Sequence, residues 1–331
     1  MSLIFPDITL FNKLCGLKEP YKDFSELTGG GVSPNTLKKV ISPSHTASPR
    51  TFVKLQNFRQ ENRQISELFD NYANFIHQLG LDPENGRKPF SVTYFSLYLE
   101  LAFYSKYASN CLYQLIKLDV DLFKACELSD HTHFQKSILE NKRLCSGLLK
   151  RLGFNFVAQH DRLSDKCLRS NFLSVSLYAL ASFDVVLKKR LEIPSNKMVF
   201  GGLFEYYNQL KDQKCIFEAY WENIKENLSN TYSIPPSWHA FSEWYAAEFG
   251  GDKEDKRKSL IRYRRGKGPS KKRLKEILKL IFKDEQIVQL YEWRHLLCVY
   301  LENFNHLLSF DFSEITEEYF EYIKYHNSHY N

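Results

Sequence analysis

The chain is expected to be all α, with helix-turn-helix modules at both ends of a central helical bundle or irregular helical array. Three observations carry that expectation. Glycine (14) and proline (11) are scarce among 331 residues, unlike the turn-rich composition of β-sandwiches and barrels. Apolar residues return at three and four positions through the middle of the chain, and no alternating strand pattern persists. Serine-proline start signals and glycine stops cut both ends into short helices. At 43% hydrophobic and 15% aromatic, the chain can bury a large core, which argues against disorder over most of its length.

Residues 1–60 form a first segment. Phe11, Leu14 and Leu17 recur at helical spacing, and a short helix over 21–28 stops at Gly29, Gly30 and Gly31. Ser33 and Pro34 then supply an N-cap and a first-turn proline for the helix PNTLKKVIS, whose Leu37, Val40 and Ile41 share one face. After Pro43 and a polar loop, Ser48-Pro49 repeats the start signal before Phe52, Val53, Leu55 and Phe58. The stretch GVSPNTLKKVISPSHTASPRTFVKL resembles the Cro and CI repressor-like (XRE-type) helix-turn-helix family, over residues 9–59. The glycine-rich Gly29–Val32 departs from the family form. The resemblance implies DNA binding, with Asn35, Thr36, Lys38 and Lys39 facing the groove and Arg50 near phosphate.

The middle, 61–235, reads as successive amphipathic helices. They include 91–118, 137–154, 170–192 and 201–228, with breaks at Asp82-Pro83, around Ser129–His133 and at Pro194-Ser195. No fixed period of a helical repeat is found.

A third segment, 236–331, follows Pro235-Pro236. An aromatic helix SWHAFSEWYAAEF closes at Gly250-Gly251, DKED leads into the helix KRKSLIRYRR, and Gly266 and Gly268 precede PSKKRLKEILKLIF, which Pro269 starts. The order matches the first segment, with Leu260 and Tyr263 standing where Leu37 and Val40 stand and Leu274 where Phe52 stands. Residues 238–282 therefore look like a second, weaker helix-turn-helix module. Its charge is the most informative feature of the chain. Between Lys256 and Lys275 lie eleven Lys or Arg and no acid, whereas the whole protein has 45 basic and 39 acidic residues, a net of +6. Without these twenty residues the balance is 34 basic to 39 acidic. Such a local positive field suits a polyanion. Lys256, Arg257, Lys258, Arg262, Arg264, Arg265, Lys267, Lys271 and Lys272 are the expected contacts, more to the phosphate backbone than to bases. About ten phosphate contacts would lower affinity roughly 10³-fold or more between 50 and 200 mM salt.

Little in the sequence points to catalysis. No GxSxG, Walker or GxGxxG fingerprint occurs, so no catalytic residue and no cofactor are expected. The seven cysteines are widely spaced without CxxC pairs and read as free thiols. His131 and His133 read as loop residues and His326 and His329 as an exposed polar tail, so no metal site is expected. Arg294-His295 lies in a helix with Tyr291, Leu296 and Leu297 packed, and most aromatics fall at core spacings. The N-terminus has no signal-peptide pattern and no run approaches 18 apolar residues, so a cytoplasmic protein away from membranes is expected.

The function expected is a nucleic-acid-binding regulator that recognises double-stranded DNA through its helix-turn-helix modules, DNA being favoured over RNA. The alternative is a non-enzymatic assembly factor of a mobile-element or phage-defence complex, binding DNA or RNA and a protein partner or second copy through the helical middle. An enzyme acting on nucleic acid is a third reading.

Overall fold

The structure is a computed structural model that describes residues 3, 4, 33 and 35, and residues 105–142, 144, 146–154, 156, 164–191, 198–210 and 215–330. Among them every regular element is an α-helix, in agreement with the composition and periodicity. In chain order these are α1 (Lys106–Glu127), α2 (His131–Glu140), α3 (Ser146–Arg151), α4 (Asp165–Leu191), α5 (Gly201–Gln209) and α6 (Ile216–Tyr232). They continue with α7 (Trp238–Phe249), α8 (Lys253–Arg264), α9 (Lys271–Ile281), α10 (Glu285–Leu308) and α11 (Phe312–His329). Two compact units divide the chain, Met1–Val175 and Ser176–Asn331, and the division falls within α4.

In the first unit α1 packs on α2. Ser105 starts α1 by accepting from the Ala108 N–H at 3.2 Å. Leu112, Leu115, Ile116, Leu118 and Leu122 form its buried stripe. Asp119 is buried in that stripe too, because its Oδ1 accepts the N–H groups of Leu3 and Ile4 at 2.7 and 2.9 Å. Asn171 on α4 adds a bond to the Leu3 carbonyl at 3.1 Å and accepts the Gly153 N–H at 2.9 Å. The Leu3-Ile4 pair is therefore held by polar side chains as well as by burial.

The break expected around Ser129–His133 is present. Ser129 takes a left-handed φ of 54° after α1, and Asp130 caps α2 by accepting the His133 N–H at 2.9 Å. His131 and His133 are thus in the first turn of α2, not in a loop. The pattern read as one helix over 137–154 is two. Asn141 donates its side-chain amide to the Ser137 carbonyl at 2.8 Å, satisfying an orphan acceptor where α2 stops. The pattern at 201–228 also divides, into α5 and α6.

The second unit is organised around Asp184 on α4, which is fully buried. Its carboxylate accepts the N–H groups of Val199, Phe200 and Gly201 at 3.0, 3.0 and 2.7 Å, and the Tyr319 hydroxyl at 2.5 Å. Arg294 on α10 donates from Nε and Nη2 to the carbonyls of Val199 and Met198, at 2.8 and 2.9 Å. Burial pushes the Asp184 carboxyl up, opposed by the bonds from Tyr319, Gly201 and Phe200 and by the charge of Arg294. One carboxylate thus caps α5 and ties α4 to α11, while Arg294 brings in α10.

By length and composition α4 could cross a membrane over Lys166–Arg190, although it lacks an unbroken apolar run. Most of that stretch is buried in the fold, and the bonds of Asn171 and Asp184 make it a core helix.

The reading of the C-terminus as an exposed tail is corrected. His326 lies in α11 and is fully buried, its Nε2 donating to the Tyr178 carbonyl at 3.0 Å. Burial lowers its pKa to about 4. The spacing of Phe312, Ile315, Tyr319, Tyr322, Ile323 and His326 explains why: His326 continues the apolar stripe of α11. His329, at the exposed end of the helix, stacks on Tyr325.

Candidate nucleic-acid interface

The cationic run builds α8, the turn after it, and the start of α9. Asp252 caps α8 by accepting the N–H groups of Glu254 and Asp255 at 2.8 and 3.3 Å. The helix therefore begins inside DKED instead of after it, because an aspartate cap and two acids in the first turn complement the helix dipole. Gly250 and Gly251, at φ 68° and 99°, make the tight connection from α7.

The inward face of α8 carries Leu260, which is buried, and Tyr263, which stacks on Trp221 of α6 with ring centroids 5.4 Å apart. The Tyr263 and Tyr245 hydroxyls are 3.3 Å apart. Two of the expected binding residues also face inward. Arg264 lies 4.5 Å over the Trp238 ring and reaches Glu218 and Glu222 at 3.7 and 3.8 Å. Lys256 sits 5.0 Å over the Tyr245 ring. Both cations belong to the packing of α8 against its neighbours.

The outward residues divide in turn. Arg257 bonds Glu254 at 3.0 Å and Lys258 lies 3.7 Å from Asp255, both pairs at the N-terminal end of α8. Such exposed pairs are weak, yet they place carboxylates among the cations there. At the other end the Arg262 side chain donates to the Ser259 hydroxyl, and neither it nor the exposed Arg265, Lys267, Lys271 and Lys272 makes an ion pair among the described residues. The unopposed charge lies at the end of α8, in the turn and at the start of α9.

The backbone fixes that turn. The Gly266 N–H bonds the Tyr263 carbonyl at 3.1 Å and the Lys267 N–H bonds the Arg262 carbonyl at 3.0 Å, the pairing of a Schellman stop. Gly266 has φ 84°, and a Cβ there would meet the Phe217 ring at 3.4 Å. The chain then runs against α10, where a Cβ on Gly268 would lie 2.8 Å from Nε2 of His295. Ser270, not Pro269, caps α9 by accepting the Arg273 N–H at 3.3 Å. The first turn of α9 has no acid, so Lys271 and Lys272 stand at the positive end of its dipole. Leu274, Ile277, Leu278 and Ile281 bury the other side. Arg273 covers the Phe249 ring at 4.3 Å, and Lys275 bonds Glu285 at 3.2 Å.

Of the first-segment candidates, Asn35 is helical and exposed, while Thr36, Lys38, Lys39 and Arg50 lie outside the described residues. No group of three or more His, Cys, Asp or Glu that could hold a metal ion occurs among the described residues. Two exposed apolar residues of α10 escape the sequence reading. Trp293 and Leu296 on α10 are 48% and 52% exposed, so Leu296 does not pack as expected. Val288, Tyr291, Arg294, Leu297, Leu301 and Phe304 form the buried stripe of α10, and falling off that stripe is the signal in the sequence that marks both.

No protein-family model, curated protein or solved structure matches the chain.

Proposed function

We propose that the chain is a nucleic-acid-binding protein whose α8–α9 turn seats a phosphate backbone. The observation that supports this is the cluster Arg262, Arg265, Lys267, Lys271 and Lys272, five exposed cations on or beside a hydrogen-bonded turn that have no carboxylate partner among the described residues. An anion there would also complement the α9 N-terminus. The acids in the first turn of α8 make that end a poor entry to a groove, so α8 serves backbone contact better than base readout. Any sequence preference on duplex DNA then belongs to the first module, through Asn35 and its neighbours, acting as a regulator inside the cell.

The test is a salt series. With about five phosphate contacts, full-length protein should lose a few hundred-fold in duplex affinity between 50 and 200 mM salt. Replacing Arg262 and Arg265 with alanine should flatten that dependence by about two contacts. An unchanged slope in this variant would refute the assignment.

A second reading, the assembly factor, draws on Leu128 and Leu139 in the first unit, which are 76% and 56% exposed. Under it the central helices contact a protein partner or a second copy. A change in sedimentation on replacing both with serine supports it, and a strictly monomeric wild-type chain with no bound protein counts against it.

A further inference from the structure

Lys275 and Lys279 follow the cationic turn along α9, and both hold the carboxylate of Glu285. We infer that these two lysines continue the phosphate track from the turn along α9, and that Glu285 occupies the place of a backbone phosphate until nucleic acid displaces it. The inference rests on the nucleic-acid reading above and adds to it the extent of the site and the group that competes for it.

Helical spacing makes the track continuous. Leu274, Ile277, Leu278 and Ile281 bury one side of α9. Lys271, Lys275 and Lys279 recur every four residues beside that stripe, and Lys272 stands three residues before Lys275, so all four share one flank. Arg273 and Glu276 fall on the other flank and bond each other at 3.1 Å. Lys271 and Lys272 already belong to the turn cluster, and Lys275 is one helical turn further on. From Lys271 to Lys279 the row covers about 12 Å of helix axis, too far for a single phosphate. A chain of phosphates is the anion that fits it.

The acid on this flank is held weakly. Glu285 accepts from Lys275 at 3.2 Å and from Lys279 at 3.1 Å, so one carboxylate answers two cations. Glu292 lies 4.0 Å from Lys275, beyond hydrogen-bond length. The side chains of Lys275, Lys279 and Glu285 are 43%, 52% and 63% exposed, and ion pairs so open to solvent contribute little to stability.

Glu285 also has a second source of stabilisation. Asp284 caps α10 by accepting the Gln286 N–H at 2.8 Å, which puts Glu285 in the first turn, at the positive end of the helix dipole. Losing its lysines therefore leaves the carboxylate in solvent and in a favourable field. A nucleic-acid backbone that takes the lysines releases condensed counterions, which a single carboxylate does not hold. The exchange favours the phosphates.

The test uses full-length protein and fluorescence anisotropy of a labelled DNA duplex and a labelled RNA strand. Lys275→Ala with Lys279→Ala should weaken binding about fivefold or more, and Lys275→Arg with Lys279→Arg should stay within about twofold of wild type. Glu285→Gln should strengthen binding about threefold. That gain should vanish when Lys275 and Lys279 are already alanine, since Glu285 then competes for nothing. Glu276→Gln makes the same change of charge on the other flank and should shift binding less than about twofold. Unchanged affinity in the double alanine variant, or an equal gain from Glu285→Gln with and without the two lysines, overturns the inference. The turn interface still stands in that case if replacing Arg262 and Arg265 flattens the salt dependence. If that replacement also behaves as wild type, or wild-type protein binds neither ligand, the nucleic-acid reading falls and this inference with it.

Discussion

The guanidinium of Arg264 lies 4.5 Å over the indole ring of Trp238, whose own Nε1 donates to Glu222 at 2.7 Å. Lys225 covers the same ring at 5.2 Å and also pairs with Glu222. The next residue, Arg265, points to solvent with no partner among the described residues. Two adjacent arginines of one basic run therefore do different things, one joining α8 to α6 and α7, the other carrying free charge.

Arg264→Ala and Arg265→Ala should separate stability from binding. The first removes a half-buried cation, its ring contact and two ion pairs, and should cost about 1–2 kcal/mol in chemical denaturation. The second should leave stability within about 0.5 kcal/mol and weaken nucleic-acid binding. Equal stability losses would sink this distinction.

Gly266→Ala should destabilise by about 1–2 kcal/mol, since φ 84° is strained for alanine. The same change should disturb the turn that presents Lys267. Thermal unfolding at constant pH is the check.

Asp184→Asn should cost about 2–4 kcal/mol, because an amide nitrogen would face hydrogen-bond donors and leave Arg294 without its buried counter-charge. A urea midpoint equal to wild type would show that the α5 cap is dispensable.

Acid should weaken the second unit through His295 and His326. Burial holds both near pKa 4, below the ordinary 6.5, so between these values the unfolded chain binds protons that the folded chain refuses. Their stabilising effect is complete above about pH 6.5 and is lost as pH falls toward 4, by up to about 1.4 kcal/mol per pH unit for each histidine. His295→Phe should flatten the fall of stability with pH by about one proton. A slope unchanged by that substitution would show that His295 does not titrate in this window.

The sequence by itself determined the helices and much of their punctuation. Composition excluded a sheet-rich fold, Ser237 marks a start that its side-chain cap confirms, and Gly250, Gly251 and Gly266 mark stops that positive φ confirms. These are local preferences, set by a residue and its neighbours within one turn. The location of the basic surface was legible for the same reason, because charge is a sum over residues.

Tertiary structure alone decided which of those charges are free. Arg264 and Arg265 are identical as residues, and only the packing of α8 on α6 gives one of them Trp238, Glu218 and Glu222. Asp184 and Arg294 carry no local sign of their roles, since their partners lie 15 to 135 residues away along the chain. Whether a polar side chain is buried and satisfied depends on which distant backbone groups reach it, and that is fixed only when the helices pack.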